Sequence, residues 1–567
     1  MAEREHKEGS AIGSVQQQKT RLAIWRPVYE WPLCLLMTLG AALGFIAVFG
    51  MRYEVNDDAI ISNIAAGAYG PDTQYLVYVN LLLGYLLKPF FALAPGLNWF
   101  VILLFLGGLA CFTVLGVLLL RGGSPLAGSA LFAALLLCAG SEFFVYFHYS
   151  RYAGLFLVTG FLLLYCHLGH WNRGTFAGML LVLLGSMLRF QMFFAVGALS
   201  VFLLGSRFLS LEPGKRKKAM VAAAILLGLV FGCKGVDAVA YQTDAGWASY
   251  QELNRVRTEI SDFRMQFFSA EADADLSGSY SPSDIEMLQN WSYYDDEVFP
   301  VEELQQFSSA LPLNSLSGTL ADTAATMVKM LYSTPLHLLF GAFIAAWLFL
   351  LGRPKWKPLC GTLLVLLAEV GFLSWRGRLP ERIDFVLVFS ALCLCACLAG
   401  LFSPRPASNR QQEESAAKAP SKPYGPKVAL FAFTLLLFAC VPFLQAQYTQ
   451  SRDYWESRPP RAAEIDALAE DKEHLYLLDS YLVDAANGYD VWHTRPAGYF
   501  SNLVFVGSWL MGSPFQEDTL HRYGLENPYR DAVGREEVLL ADFYYRELKE
   551  DYLREHYGPG INLPLAE

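Results

Sequence analysis

Charged residues are scarce in this chain: Asp, Glu, Lys and Arg make up only 17% of its 567 residues, whereas 54% are hydrophobic. An average soluble domain carries about a quarter charged residues, so the composition excludes an ordinary soluble enzyme. Disordered and collagen-like chains are excluded as well, because 40 Phe, 29 Tyr and 12 Trp supply bulk that must be buried. The apolar residues lie in long blocks, which is typical of a polytopic membrane protein.

Several motifs are also missing from the sequence. It contains no HExxH motif, which would indicate a zinc site. It also contains no P-loop and no GxGxxG turn, so it gives no indication of a nucleotide cofactor or a nucleotide-sugar donor. All ten cysteines lie in or beside apolar blocks. A disulfide framework outside the membrane is therefore not expected.

Negative charge is concentrated in two regions. Residues 243–325 hold fifteen Asp or Glu against three Arg, and residues 447–567 hold twenty-two against eleven Lys or Arg. Basic residues instead cluster in short stretches, at 4–26, 215–218, 353–357 and 405–427. The positive-inside rule places these stretches in the cytoplasm and both acidic regions outside. The net charge of −10 thus reports orientation and does not indicate nucleic-acid binding.

The apolar blocks predict about eleven transmembrane helices in the cytoplasmic membrane, with the N-terminus cytoplasmic and the C-terminus outside. The predicted spans lie near 32–50, 98–120, 125–147, 152–169, 175–188, 191–206, 219–240, 333–351, 358–375, 384–402 and 428–446. The predicted fold class is therefore an all-α polytopic membrane protein.

Two segments allow alternative interpretations. Residues 75–94 are apolar but contain Asn80 and Lys88, so we expect them to be interfacial or re-entrant, although they are apolar enough to span. Residues 175–206 form either two short helices broken at Arg189 and Gln191 or one long helix.

The predicted domain order follows from these spans. A cytoplasmic tail (1–31) precedes the membrane domain (32–402), a Pro- and Ser-rich cytoplasmic linker (403–427), the last span (428–446) and an extracytoplasmic C-terminal region (447–567).

Two outer loops, the first loop (51–97) and the second loop (243–325), interrupt the membrane domain. Ser281 to Asp284 predict a helix start in the second loop. In the C-terminal region, residues 474–483 predict a strand and 536–558 an amphipathic helix closed by glycine, so this region is predicted to be a small α/β domain.

The first loop carries the strongest candidate site. It opens with Arg52, Glu54, Asn56, Asp57 and Asp58 directly after the first span. Ionisable residues beside a membrane are expensive to desolvate, so a cluster of them indicates function. The alternative is that Asn56 or Asp57 only caps a helix over residues 58–68.

With this opening, the chain resembles the GT-C integral-membrane glycosyltransferases, among them the protein O-mannosyltransferases and the aminoarabinose transferases of lipid A. The shared features are a first span followed at once by an acidic motif, an interfacial helix, a second apolar stretch and a bundle of spans. The resemblance implies a GT-C-like bundle with a soluble outer domain. It also implies a donor sugar on a polyprenyl phosphate or pyrophosphate, and an acceptor that is a cell-envelope glycan, lipid or protein.

In that family the acidic residue of the first outer loop is the general base or helps to bind a divalent metal. The resemblance therefore implies that Asp58, or Asp57, is the base. Adjacent helical residues point about 100° apart, so the two side chains are not expected to face the same atom. If a cation such as Mg²⁺ or Mn²⁺ takes part, Asp57 and Asp58 are its expected ligands.

Basic residues between the spans are the candidates for binding the donor phosphate, because Arg offers bidentate donors to phosphate. The strongest candidates are Arg376, Arg378 and Arg382 in SWRGRLPERIDF. For these three, contacts to lipid headgroups or salt bridges to Glu381 and Asp384 are the alternative. The further candidates are Arg52, Lys88, His148, Arg151 and Arg189.

The favoured function is a glycosyltransferase at the outer face of the membrane, with membrane lipids and a polyprenyl-linked sugar as partners. An envelope polysaccharide polymerase or ligase would use similar donors. A lipid or sugar transporter or flippase is the non-enzyme alternative, and it predicts charges near the middle of the bilayer and internal symmetry.

Overall fold

The structure is a computed structural model. It describes residues 29–71, 73–122, 125–265, 280–311, 316–329, 332–350, 356–376, 378–402, 425–456, 461–487, 490–542 and 545–559. Most of the predicted tail (1–31) and linker (403–427) lies outside the described residues.

Helices dominate the first 456 residues. In chain order they are α1 (Tyr29–Phe49), α2 (Asp57–Ala65), α3 (Leu81–Leu93), α4 (Trp99–Arg121), α5 (Pro125–Phe144), α6 (Tyr149–His167), α7 (Arg173–Leu188), α8 (Phe190–Leu209), α9 (Pro213–Thr243), α10 (Ala245–Arg257), α11 (Pro282–Gln289), α12 (Val301–Ala310), α13 (Leu316–Lys329), α14 (Pro335–Leu350), α15 (Trp356–Trp375), α16 (Glu381–Leu398) and α17 (Gly425–Glu456). A π-helical segment, Thr258–Arg264, follows α10.

In the described part of the chain, seven helices are long and apolar enough to cross a membrane: α1, α4, α5, α6, α8, α9 and α15. Three shorter apolar helices are α3, α7 and the first part of α14. All eleven predicted spans coincide with helices, because α16 and α17 cover the remaining two. The chain is therefore a helical membrane protein, and the number of spans stays a prediction.

The structure shows where the helices of both ambiguous segments begin and end. Residues 175–206 form two helices, and Arg189 separates them with an extended backbone (φ −150°, ψ 101°). Residues 75–94 contain only the 13-residue helix α3, which has Pro89 inside it. At about 1.5 Å per residue this helix measures about 20 Å, which is shorter than the hydrocarbon core of a bilayer.

Helix α6 lies at the centre of the bundle, and its residues 149–165 are all buried. Small residues let its neighbours approach closely. A Cβ atom on Gly154 would lie 2.1 Å from a methyl carbon of Val386 in α16, and one on Gly160 would lie 2.8 Å from the carbonyl oxygen of Gly178 in α7. This packing holds the first turn of α6 in place, beside the first loop.

Two short strands, β1 (Arg52–Tyr53) and β2 (Tyr146–Phe147), lie in the first part of the chain. The C-terminal region contains a three-stranded parallel sheet in which Leu475–Leu478 form the central strand, between Leu503–Phe505 and Val538–Ala541. Its elements are α18 (Arg461–Glu470), β3 (Leu475–Leu478), α19 (Leu482–Asn487), β4 (Leu503–Phe505), α20 (Pro514–Arg522), β5 (Val538–Ala541) and α21 (Arg546–Tyr557). The predicted strand over 474–483 is confirmed for Leu475–Leu478, but Leu482 already begins a helix.

The predicted helix over 536–558 is wrong at its N-terminal end. Val538–Ala541 form strand β5, and of the described residues in this range only Arg546–Tyr557 are helical. The reason is tertiary, because strand β3 pairs with this apolar run and buries it.

The second loop and the C-terminal region share one apolar core. Tyr293 and Phe299 of the loop pack with residues of the sheet and of α21. Asp295, which is 1% exposed, accepts hydrogen bonds from Tyr552 (2.6 Å), Tyr557 (2.7 Å) and Asn527 (2.8 Å). The predicted helix start is confirmed, because Ser281 and Asp284 form a reciprocal capping box. The described parts of the two acidic regions therefore fold as one unit.

Lys549→Met is expected to destabilise this unit by about 3–5 kcal/mol, because it removes the cation between two buried carboxylates. Lys549 contacts Asp479, directly after β3, and Asp542, directly after β5. Thermal unfolding of the full-length protein, with proteolysis to follow release of the C-terminal region, measures the loss. Arg546→Met on the same helix breaks a partly exposed pair with Glu550 and should cost no more than about 1 kcal/mol. Equal stability of the two variants would contradict the prediction.

Candidate active site

A short strand pairing brings the acidic motif beside the start of α6. Strand β1 (Arg52–Tyr53) pairs in parallel with β2 (Tyr146–Phe147). Helix α2 begins four residues after β1, and α6 begins two residues after β2. The pairing therefore places Asp57 and Asp58 against His148 and Tyr149.

Asp58 is completely buried. Its Oδ1 atom accepts a hydrogen bond of 2.7 Å from the backbone N–H of Tyr149, whereas Oδ2 is buried without a hydrogen-bond partner among the described residues. Burial, reinforced by the neighbouring Asp57 carboxylate, raises the pKa of Asp58 well above its usual value. The site thus holds an acid that keeps its proton at an unusually high pH.

Asp57 is the more accessible acid, because 18% of its side chain is exposed. Its Oδ1 atom accepts a hydrogen bond of 3.1 Å from the indole N–H of Trp509 in the C-terminal region. Its Oδ2 atom lies 3.9 Å from Nε2 of His148. Asp57 therefore lies at the boundary between the buried part of the site and the solvent.

His148 is fully buried, and burial lowers its pKa well below the usual value, helped by the positive charges of Arg382, Arg189 and Arg151. Its Nδ1 atom accepts the backbone N–H of Ser150 at 3.0 Å, so the neutral ring carries its proton on Nε2. Nε2 has no hydrogen-bond partner among the described residues. An unpaired N–H and the unpaired Oδ2 of Asp58 therefore occupy the same small site.

Three of the predicted phosphate-binding arginines lie close enough to His148 to act on it electrostatically. Arg151 contacts Glu142 (2.8 Å) and Glu54 (3.2 Å), and Arg382 lies 3.8 Å from Glu54. Arg189 donates a hydrogen bond to the hydroxyl of Tyr149. Burial raises the pKa of Glu54, and the charges of Arg151 and Arg382 oppose that rise.

Arg376 and Arg378 contact the second loop instead. Arg378 lies 2.7 Å from Asp262 and Arg376 lies 3.7 Å from Glu259. Both guanidinium groups also lie about 5 Å from the ring centroid of Phe263. Ion pairs therefore do form here, as one interpretation of the sequence predicted, but their partners come from the second loop.

The last two predicted residues lie among aromatic rings. Arg52 lies between the rings of Tyr146 and Tyr454, at 4.8 and 4.6 Å from their centroids. It thereby links the first loop to α17. Lys88 lies 5.8 Å from the ring centroid of Tyr85 on its own helix.

The helix-cap interpretation of Asn56 is wrong. Asn56 precedes α2 but makes no capping hydrogen bond with its side chain, and it contacts the side chain of Asp484 instead. Asp57 is already helical, so it is not the cap either. Capping therefore does not account for the acids of this loop.

Some residues of the site were not predicted from the sequence. Trp509 and Asp484 lie more than 400 residues from Asp57 and carry no recognisable motif. Glu142 did have a signal, since it is a lone acid in an apolar block. Tyr149, which holds both Asp58 and Arg189, looks in sequence like any aromatic residue at a membrane boundary.

The described residues include no group of three or more His, Cys, Asp or Glu that could hold a metal ion. His148 offers no free lone pair to a cation, because Nδ1 accepts the Ser150 N–H and Nε2 carries the proton. This leaves the adjacent carboxylates of Asp57 and Asp58, and no catalytic step is assigned to a cation.

Comparison with known proteins gives no family assignment. No family model, no curated protein and no solved structure matches the chain.

Asp58→Asn is expected to raise thermal stability at pH 8 and to change it little near pH 4. Folded Asp58 keeps its proton to a higher pH than the unfolded chain, so wild-type stability falls as the pH rises from about 4 through the raised pKa. The slope is at most about 1.4 kcal/mol per pH unit, and Asn avoids this loss.

Thermal unfolding of both proteins between pH 4 and 8 checks this expectation. The exposed Asp518→Asn controls for the chemical change. A stability difference between wild type and Asp58→Asn that does not vary with pH would contradict the raised pKa.

Proposed function

We propose that this protein is a membrane glycosyltransferase that moves a sugar from a polyprenyl phosphate or pyrophosphate to a cell-envelope acceptor at the outer face of the membrane. The observation that supports this function best is the convergence of two adjacent acids, a neutral histidine and three arginines where the first loop meets α6. Sugar transfer from a lipid phosphate needs a carboxylate for the acceptor and cations for the leaving phosphate.

Asp57 takes the role of base in this proposal. An acceptor hydroxyl attacks the anomeric carbon and forms the new C–O bond, its proton passes to the Asp57 carboxylate, and the electron pair of the broken bond leaves with the phosphate oxygen. The exposed fraction of its side chain (18% for Asp57, none for Asp58) favours Asp57. This assignment reverses the preference for Asp58 over Asp57 as the base, which only their position in the first loop supports.

Asp58 and His148 support Asp57 from the buried side. The Tyr149 N–H fixes Asp58, and the Ser150 N–H fixes the ring of His148 so that Nε2–H points to the Asp57 side. A neutral imidazole at that position can donate to an acceptor or phosphate oxygen without neutralising the base.

Arg189 and Arg382 are the proposed phosphate ligands. Arg382 lies in the first turn of α16, where its contact to Glu54 is long at 3.8 Å. Arg189 lies at the break between α7 and α8 and donates to the hydroxyl of Tyr149, whose backbone N–H donates to Asp58. Arg151 is held by two carboxylates and the carbonyls of Glu142 and Tyr146, so we assign it to positioning.

The membrane orientation is part of the proposal. With the N-terminus in the cytoplasm, the acids, the second loop and the C-terminal region all lie on the outer side. The folded unit built from the two acidic regions would then cover the site where the lipid-linked sugar arrives from the bilayer.

Asp57→Asn is expected to reduce the turnover of a polyprenyl-phosphate sugar at least about 100-fold, because it removes the proton acceptor. The assay uses purified full-length protein, a mixture of polyprenyl-phosphate sugars and bacterial envelope extract, and follows released polyprenyl phosphate by mass spectrometry. Donor binding should persist in the variant, since the arginines are unchanged.

Glu252→Gln, an exposed carboxylate on α10, serves as the matched control and should retain wild-type turnover. If wild type neither binds nor consumes any donor, the glycosyltransferase proposal is wrong. If Asp57→Asn turns over like the control, Asp57 is not the base.

A further inference from the structure

Strained backbone marks a second group of residues next to Asp57. Among the described residues, only Val77, Trp291 and Ser508 adopt a positive φ without being glycine, with φ of 66°, 63° and 80°. This conformation is unfavourable for side chains with a Cβ atom, most of all for a β-branched residue such as Val77. Such strain concentrates at active sites and ligand clamps.

The three strained residues come from distant parts of the sequence, yet their neighbours contact one another. Tyr78, which follows Val77, packs edge-on against Trp509, which follows Ser508, with ring centroids 4.9 Å apart. The carbonyl oxygen of Trp291 approaches the same turn, because a Cβ atom on Gly507 would lie 2.8 Å from it.

Arg257 contacts residues from two of these three segments. Its guanidinium lies 5.1 Å from the ring centroid of Trp291, and one of its nitrogens donates to the hydroxyl of Tyr78 at 3.4 Å. Trp509 in turn donates to Asp57 at 3.1 Å. The first loop, the second loop and the C-terminal region thus each supply part of one group, which we call the aromatic clamp (Tyr78, Arg257, Trp291 and Trp509).

One hydrogen-bond donor in the aromatic clamp, on Arg257, has no acceptor among the described residues. Arg257 is only 2% exposed, and its Nη1 atom is buried with no hydrogen-bond partner among the described residues. Its other nitrogens donate to Asn254, Thr258 and Tyr78. The nearby acid Asp262 lies 2.7 Å from Arg378. A buried guanidinium nitrogen without a partner is costly, and an anionic ligand would supply one.

We propose that the aromatic clamp is the acceptor subsite and binds an acidic sugar, with the ring against Tyr78 and Trp291 and the carboxylate or phosphate on Arg257. Both aromatic side chains are half-buried and so present part of their surface. The role as acceptor subsite rests on the proposed glycosyltransferase function. Trp509 is a positioning residue here, since it connects the clamp to the base through its N–H.

Binding of free sugars to the full-length protein in lipid nanodiscs tests the proposal. The probes are trigalacturonic acid, which carries carboxylates, glucose 6-phosphate, which carries a phosphate, and neutral maltotriose. Calorimetric titration should show at least one acidic probe binding about tenfold more tightly than maltotriose. The two acidic probes distinguish a carboxylate from a phosphate ligand.

Arg257→Gln should abolish this preference, and Arg257→Lys should retain part of it because the charge remains. Arg255→Gln is the matched control, since Arg255 is exposed on the same helix, and it should bind like wild type. The Lys variant separates loss of charge from loss of folding. If wild type shows no preference for acidic probes, or if Arg257→Gln keeps the preference, the proposal is wrong.

A positioning role for Trp509 predicts a separate kinetic effect. Trp509→Phe keeps a ring against Tyr78 and removes the N–H to Asp57, so it should lower kcat for sugar transfer by a larger factor than it raises the dissociation constant of the acidic probe. An unchanged kcat would overturn this role.

Sugar binding needs no donor, so the two proposals can fail separately. A wild type that prefers acidic sugars but consumes no polyprenyl-linked donor would refute the transferase and leave a saccharide-binding site. A wild type that transfers sugar without this preference would refute only the subsite.

Discussion

The hydrogen bond from the Tyr149 N–H to the Asp58 carboxylate is the interaction on which the candidate site depends. It ties the first loop to the first turn of α6, the most buried helix of the bundle. A carboxyl group without water has to be paired or protonated, so this one bond fixes where α2 begins and which way its acids point. Once Asp58 is held inside, Asp57 is directed towards the exposed side, and His148 lies within 4 Å of both.

The same constraint explains why the acidic regions matter to a site inside a membrane domain. Helix α2 is covered by the C-terminal region: Asn487 accepts hydrogen bonds from Asn63 and Tyr69, and the ring of Tyr69 stacks on Phe500 at 4.3 Å. The second loop joins this cover through the buried Asp295. The polar site is thereby shielded by a folded unit, and access to Asp57 depends on that unit.

The parts of the structure that depend on the local pattern of apolar and charged residues could be predicted from the sequence. Apolar blocks located the helices, the extended backbone at Arg189 was foreseeable from a charge in an apolar run, and acids directly after the first span pointed to the site. Contacts between distant segments could not be read in this way. Nothing near Val538 shows that β3 will pair with it, and Trp509 resembles any buried tryptophan until the C-terminal region is placed on α2. In sequence Arg376 and Arg378 are equivalent to Arg382, yet the described residues of the second loop pair only with the first two.

The central claim is that lipid-linked sugar binds with its phosphate between Arg189 and Arg382 and its sugar beside Asp57. An experimental structure of the Asp57→Asn protein with a bound polyprenyl-phosphate hexose tests this claim most directly, since the variant should hold the donor without consuming it. The account predicts phosphate oxygens within hydrogen-bonding distance of both guanidinium groups and the anomeric carbon facing residue 57. A phosphate bound at Arg52, at Arg376 and Arg378, or at the opposite ends of the helices would contradict it.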